Sequence, residues 1–274
     1  MQLRRAVEMA TAQQLALFDS VTPAPTHGAP GNGTAFHDPA FAANKALPIH
    51  RWVPWIAGFS KDFVSDVLQR YLAHPGVVLD PFAGVGTTLV EAALQGHTAI
   101  GFEINPYAAL AARVKSNAHR LDETQVREAI AQLQRFYTEK VTSSAHPHST
   151  PPPGFQTRAA FYSPKVLRKV LFIQDFISEM LLEPLAALFQ LAFAATMVQY
   201  SNYSYEPSLG RRVSAGKAEI EDYPVGETVI TKLYAMAEDI AWFRNQPGLS
   251  QTEARVINDT FFNYDSYLDP ASVD

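Results

Sequence analysis

Two carboxylates and two glycines have the spacing of a ligand site built on neighbouring strands. Asp80 ends a short apolar run, and Gly84 and Gly86 follow it in a segment that predicts a tight turn into a helix. Glu103 ends the next apolar run, about 20 residues further along the chain. Glycine lets a ligand approach bare backbone, and a strand-end carboxylate can accept hydrogen bonds from ribose hydroxyls. The pattern therefore indicates a site for a ribose-containing ligand.

Three classes of ligand use such a glycine turn: nucleoside triphosphates, dinucleotides and S-adenosylmethionine. A P-loop requires Lys and then Ser or Thr after its last glycine, but Gly86 is followed by Thr87 and Thr88, so no ammonium would reach a phosphate. A dinucleotide turn has a third glycine where this chain has Leu89, which makes that interpretation poor without excluding it. S-adenosylmethionine carries a sulfonium, a ribose and an adenine but no phosphate, and it suits these residues best.

The composition excludes several kinds of chemistry. The 274 residues contain no cysteine, which rules out thiolate nucleophiles, disulfides and cysteine-bound zinc. The formal net charge of −5 gives no global basic field for nucleic acid, so any such contact needs a local patch. We predict no metal site, no signal peptide and no membrane-spanning segment, and we expect a cytoplasmic protein.

Hydrophobic periodicity and capping residues predict the elements that position the site. Strands are predicted at 77–79, 98–102 and 255–257, and helices at 61–72, 87–95, 123–140, 164–182, 184–199 and 228–243. The first strand, the glycine turn, the first following helix and the second strand fit one right-handed parallel βαβ unit. Residues 1–18 are predicted to form a short amphipathic helix, and residues 201–226 a polar, tyrosine-rich loop.

Residues 80–88 carry a specific motif. They read Asp-Pro-Phe-Ala-Gly-Val-Gly-Thr-Thr, which resembles the cofactor motif D-P-F-x-G-x-G-T-T of the DNA methyltransferases that modify adenine N6 or cytosine N4. Residues 101–106 are similar to the second strand of that family, and the resemblance covers about residues 50–115 and 254–274. It implies an α/β, Rossmann-like class I methyltransferase sheet, S-adenosylmethionine as cofactor and DNA as substrate. The lack of cysteine independently excludes the cytosine-C5 methyltransferases, which need a thiolate.

The resemblance also implies roles for individual residues. Glu103 would bind the ribose hydroxyls, Ile104 would pack against adenine, and Asp259 would hydrogen-bond to the adenine amino group. The cofactor-binding residues implied in this way are Asp80, Pro81, Phe82, Ala83, Gly84, Gly86, Thr87, Glu103, Ile104 and Asp259. Residues 50–64 are similar to the segment that packs near the methionine end of the cofactor in that family.

The acceptor-binding motif of the family, D/N/S-P-P-Y/F/W, does not occur in the sequence. In the family, its polar side chain and a proline carbonyl accept hydrogen bonds from the amine, and its aromatic ring stacks on the extruded base. We therefore assign no catalytic residue and expect this chain to transfer no methyl group alone. We expect the N-terminal part of a methyltransferase, with strands 1 to 3 only and an open edge at strand 1, either truncated or completed by a second polypeptide.

Four regions are predicted along the chain. Residues 1–48 are an N-terminal helix and flexible linker, and residues 49–118 are the cofactor-binding βαβ region. Residues 119–250 are a helical insertion, to which we assign target recognition as a hypothesis. Residues 251–274 hold the third strand and, by the resemblance, the start of the truncated catalytic half.

A basic cluster in the tyrosine-rich loop is the candidate DNA contact. Arg211, Arg212 and Lys217 follow three tyrosines, at 200, 203 and 205, and together they predict phosphate contacts with base stacking. A solvated loop explains the same residues equally well.

The leading hypothesis is the S-adenosylmethionine-binding part of a site-specific DNA methyltransferase that acts on an exocyclic amine, from a restriction-modification system by resemblance. Two alternatives stay open. One is an RNA guanine-N2 methyltransferase, which uses a similar glycine turn. The other is a non-catalytic cofactor-binding or DNA-binding subunit.

Overall fold

A computed structural model describes residues 36–55, 58–152, 157, 160–205, 209–249 and 252–274. The helix predicted over residues 1–18 lies outside this part of the chain.

Helices and short strands alternate in the first part of the fold, and helices dominate the second. The elements are α1 (Lys61–Tyr71), β1 (Val77–Asp80), α2 (Thr87–Leu94), β2 (Thr98–Phe102), α3 (Pro106–Ser116), α4 (Glu123–Thr142), α5 (Pro164–Met180), α6 (Leu185–Thr196), β3 (Tyr203–Tyr205), β4 (Leu209–Arg211), α7 (Val225–Arg244) and β5 (Ala254–Ile257). Short 3-10 helices lie at Phe41–Ala46, His50–Trp52, Ala118–Arg120, Arg212–Ala215 and Phe261–Ser266. The α/β class predicted from the sequence is confirmed.

The main sheet is parallel and has β2 at its centre. Its order is β1-β2-β5, with Val77 opposite Thr98 and Ala99 opposite Ala254. The free side of β1 is met by the last residue of the chain: the Asp274 amide donates to the Val77 carbonyl at 3.0 Å, and the Val77 amide donates to the Asp274 carboxylate at 2.8 Å. Because the three strands are parallel, the predicted ligand-binding residues that end or follow them, Asp80, Glu103 and Asp259, lie at the carboxyl edge of one sheet.

One face of the sheet is covered by α1 and α2. Leu68 of α1 and Leu89 of α2 are buried in a cluster that includes Ala99 of β2. The contact is close at Gly101, where a Cβ atom would lie 2.8 Å from the Cβ of Ala83. Small residues in β2 thus let the glycine turn and α2 pack directly on the strand.

The helical insertion shares a hydrophobic core with the cofactor-binding region. The large side chains at its centre include Phe172, Phe176 and Phe189, all of which are buried, and the same cluster contains Val85 of the glycine turn and Ala108 of α3. Helix α7 runs beside α4, and α6 packs on α3. The insertion therefore supports the site region through one continuous core.

Part of the predicted linker is folded. Residues 41–46 form a 3-10 helix in which Phe41 and Asn44 are buried. The Asn44 amide group donates to the Phe59 carbonyl at 3.0 Å and its oxygen accepts from the Lys61 amide at 2.9 Å. These bonds attach the segment to the start of α1, so residues 41–46 are folded where the sequence predicts a flexible linker.

Helix α3 was not predicted from hydrophobic periodicity. Its first turn nevertheless carries a capping signal, because the Asn105 side chain accepts from the amides of Tyr107 and Ala108, and Pro106 occupies the first helical position. The helix is rich in alanine and buried on most of its surface, so no polar stripe marks it as a helix.

The tyrosine-rich loop contains the antiparallel hairpin β3-β4. Tyr200 and Tyr203 are buried, and Tyr203 stacks on Phe161 with ring centroids 5.2 Å apart. The prediction that these two tyrosines stack on bases is therefore wrong, because their rings are buried in the protein core. Tyr205 is 54% exposed.

Among the helices of the described chain, none is long and apolar enough to cross a bilayer.

Candidate cofactor-binding site

The glycine turn adopts a conformation that side chains disfavour. Gly84 has φ of 51° and Gly86 has φ of 82°, and the Gly86 amide closes the turn by donating to the Ala83 carbonyl at 2.8 Å. Gly86 also lies against α3, where a Cβ atom would be 2.8 Å from the Cα of Ala112. Glycine is needed at 86 both for the left-handed backbone and for the close approach of two elements.

Two matched substitutions separate these requirements. Gly96 has the same φ of 82° as Gly86, but a Cβ atom there would meet nothing within 4 Å. Gly96→Ala should lower the free energy of unfolding by about 1–2 kcal/mol through backbone strain alone. Gly86→Ala should cost about 1–3 kcal/mol more because it also overpacks the contact with α3. Urea denaturation of both variants measures the difference, and equal losses would contradict the close approach.

Glu103 joins the two predicted halves of the site. Its Oε2 accepts from the Gly84 amide at 2.9 Å, and its Oε1 accepts from the Asn105 amide at 2.7 Å. Each carboxylate oxygen has two acceptor positions, so each keeps one for a further donor. The carboxylate thus stands half-buried beside the turn, as the spacing predicts, with acceptor capacity for a diol.

The other residues of the motif divide into supporting and exposed groups. Ala83 and Thr87 are buried, and the Asp80 carboxylate accepts from the Phe82 amide at 3.0 Å, which fixes the start of the turn. The side chains of Phe82 and Ile104 are 79% and 75% exposed. Both side chains follow the carboxyl ends of neighbouring strands. Pro81 is partly exposed.

The Asp259 carboxylate is engaged by its own loop. It accepts from the Asn263 side chain at 3.1 Å, from the Tyr267 hydroxyl at 2.8 Å and from the Thr260 amide at 2.7 Å. These hydrogen bonds, that of Asn263 first, lower the pKa of Asp259 below its usual range. Here the group organises the 3-10 helix after β5, and its contact with adenine stays a prediction.

Asn258 was not singled out from the sequence. Its side-chain amide donates to the carbonyls of Glu103 and Ile104, at 2.7 and 3.2 Å, and so ties the end of β5 to the end of β2. The sequence signal that could have identified Asn258 is its position immediately after the third strand, next to Asp259.

The segment before α1 lies over the glycine turn. A Cβ atom on Gly84 would be 3.2 Å from the indole nitrogen of Trp55. The preceding 3-10 helix is anchored on the buried Asp239 of α7, which accepts from the Ile49 amide at 2.9 Å and from the Trp52 indole at 2.8 Å. The insertion therefore positions the segment that covers the turn.

The three basic residues of the candidate DNA contact lie in and just after β4. Arg211 pairs with Glu219 at 3.4 Å, Arg212 donates through Nε to the Ala218 carbonyl at 2.9 Å, and the Lys217 amide donates to the Arg212 carbonyl at 2.9 Å. Burial raises the pKa of Tyr107 at the start of α3, and the Tyr205 hydroxyl of β3 adds a smaller effect in the same direction.

No group of three or more potential metal ligands occurs in the part of the chain that the structure describes.

Comparisons with known proteins give one family and several relatives. A family model described as a DNA methylase of the N6 and N4 methyltransferases matches residues 50–113. The type II methyltransferase M.BsoBI of Geobacillus stearothermophilus is 29% identical over 121 residues, which are 40% of this chain and 24% of that protein. M.MvaI of Kocuria varians is 24% identical over 65% of this chain and 39% of its own length. M.AvaI of Nostoc sp. is 32% identical over 37% of this chain and 20% of its own length.

The chain thus spans between a fifth and two fifths of these curated relatives. No solved structure matches it.

Proposed function

We propose that the chain belongs to the N6 and N4 DNA methyltransferases, whose family model matches residues 50–113, and that its βαβ region binds S-adenosylmethionine for methyl transfer to an exocyclic amine of DNA. The observation that carries this proposal is the bond between the Glu103 carboxylate and the Gly84 amide at 2.9 Å. In this bond, the residue predicted to bind ribose, Glu103, contacts the glycine turn predicted to bind the cofactor through its backbone.

Each part of the cofactor finds suitable chemistry at this edge of the sheet. The free acceptor positions of Glu103 suit the ribose hydroxyls, and the exposed side chain of Ile104 suits the adenine ring. Trp55 lies over Gly84, where the methionine end would approach the turn. When bound, the cofactor supplies an electrophilic methyl group on a sulfonium, and the residues named here bind and orient it.

DNA and a further polypeptide segment are the proposed partners. The relatives that match the chain are type II methyltransferases by name, which supports DNA as the substrate. The motif that binds the acceptor amine in the resembling family is absent from the 274 residues, so we propose that transfer needs residues from elsewhere.

A transfer assay with tritiated S-adenosylmethionine tests the function. The chain alone, the chain extended through its downstream reading frame, and the chain mixed with a neighbouring gene product are each incubated with mixed genomic DNA or with RNA. We expect transfer to DNA by a completed protein and none by the chain alone. Transfer to RNA only would favour the guanine-N2 alternative, and binding without transfer in every arm would favour a non-catalytic subunit.

The basic cluster provides a prediction on DNA binding. If Arg211 and Arg212 neutralise phosphates, the double alanine variant of the completed protein should reduce the slope of log K against log salt by up to about two units. The matched control replaces Arg127, which is half-buried, and Arg135, which is exposed; both lie on α4, remote in sequence, and their replacement should leave the slope unchanged. Equal slopes for wild type and the Arg211/Arg212 variant would assign these residues to an ordinary solvated loop.

A further inference from the structure

A buried lysine lies directly beneath the glycine turn. Lys115, in the last turn of α3, has no exposed surface, and its Nζ donates to the Val85 carbonyl at 2.8 Å. Val85 stands between the two glycines of the turn, so this bond is to the backbone of the cofactor cradle itself. Burial lowers the pKa of Lys115 to about 7. Burying an ammonium group costs free energy unless the group is hydrogen-bonded or paired with an opposite charge.

Glu91 and His50 form a buried pair whose charge acts on Lys115. Glu91 of α2 is 5% exposed, and the Nε2 atom of His50 lies 2.9 Å from its Oε1. The Glu91 charge raises the pKa of Lys115 against the effect of burial. Burial lowers the pKa of His50, and its Nδ1 has no hydrogen-bond partner among the described residues. The charged groups around Lys115 are thus Glu91, His50 when it is protonated, and Lys232 of α7.

Helix α3 supports the turn at two adjacent points. Ala112 lies three residues before Lys115 and therefore on the same face of the helix. It packs against Gly86, where a Cβ atom would come within 2.8 Å. One face of α3 therefore contacts the turn by packing at Gly86 and by a hydrogen bond at Val85.

We propose that Lys115 is a positioning residue of the cofactor site: its bond to Val85 holds the glycine turn in its ligand-binding conformation. The inference rests on the proposed function for the meaning of the turn. Without the lysine, the Val85 carbonyl has no donor in the protein interior, and the turn relaxes to reach water. Binding must then restore the turn conformation, which weakens affinity.

Lys232 supplies a matched control. Burial also lowers its pKa, to about 8, and its Nζ donates to the Arg51 carbonyl at 3.2 Å. Among the described residues, its side chain forms no hydrogen bond with residues 80–90. Lys115→Met and Lys232→Met therefore remove comparable groups, and only the first touches the turn.

Hydrogen–deuterium exchange of the free protein tests the positioning role without any ligand. Peptides that cover residues 80–90 should exchange about 10-fold faster in Lys115→Met than in wild type, and at the wild-type rate in Lys232→Met. Unchanged exchange in Lys115→Met, or equal acceleration by both variants, would overturn the proposal. Lys115→Gln, which keeps a donor, is the second variant if the methionine variant does not fold. Failure of both, with Lys232→Met folded, would assign Lys115 to overall stability and would also overturn it.

Titration with S-adenosylhomocysteine separates this inference from the proposed function. Lys115→Met should bind about 10-fold more weakly than wild type, whereas Lys232→Met should bind within about twofold. Normal binding by Lys115→Met contradicts the positioning role and leaves the proposed function intact. No binding by wild type contradicts the proposed function, and the exchange experiment still decides the role of Lys115.

Discussion

Glu103→Ala is expected to weaken S-adenosylmethionine binding roughly 10- to 100-fold, which corresponds to the loss of charge-assisted hydrogen bonds worth about 1.5–3 kcal/mol. Two effects act in the same direction. The variant removes the acceptors for the ribose hydroxyls, and it releases the Gly84 amide, which the carboxylate holds at 2.9 Å. The turn is then less ordered before binding, which adds to the loss.

Calorimetric titration measures this effect, with Glu103→Gln and Glu253→Ala beside it. The glutamine keeps one oxygen and should give an intermediate affinity. Glu253 is an exposed carboxylate just before β5, and its replacement should leave affinity unchanged. Wild-type affinity in Glu103→Ala would show that the ribose is held elsewhere.

Asp239→Ala should lower the free energy of unfolding by about 3–5 kcal/mol, because it breaks a buried charged network by removing one partner. The Asp239 carboxylate is 2% exposed and accepts from the Ile49 amide, the Trp52 indole and the Arg51 guanidinium. Each of these donors is left without its acceptor, two of them in the protein interior. The other carboxylate that reaches this 3-10 helix among the described residues, that of Glu91, bonds to His50 and not to these three donors.

Chemical denaturation of Asp239→Ala is compared with Glu238→Ala. Glu238 is the neighbouring residue on α7 and is exposed, so its loss should change the free energy of unfolding by no more than about 0.5 kcal/mol. A loss below about 1 kcal/mol in Asp239→Ala would mean that the anchored segment finds other partners in the folded protein.

Much of the sheet and of the candidate site follows from local sequence signals. The predicted strand at 98–102 coincides with β2, and helix α2 begins at Thr87 as predicted. Glu103 and Gly84 meet because parallel strands end at the same edge of a sheet and the turn length is fixed by its glycines. Hydrophobic periodicity and turn residues are sufficient to predict such contacts where the partners are near in sequence.

The features that sequence reasoning missed depend on distant partners. Lys115 looks like a solvated helix charge until the fold buries it and places the Val85 carbonyl within hydrogen-bond distance. Tyr203 looks available for stacking on a base until Phe161 covers its ring. Asp239 has no local motif, since its partners lie almost two hundred residues earlier in the chain. In each case the burial that decides the role comes from tertiary packing.

If S-adenosylmethionine binds at the glycine turn and Glu103, residue-resolved NMR detects the binding at those residues. Amide spectra of the ¹⁵N-labelled protein are recorded while S-adenosylhomocysteine is added. We expect saturable shifts at Gly84, Gly86, Glu103 and Ile104, with Gly96, at the opposite end of α2 from the turn, unchanged. No shift at these four amides at saturating ligand, or shifts confined to the helical insertion, would contradict it.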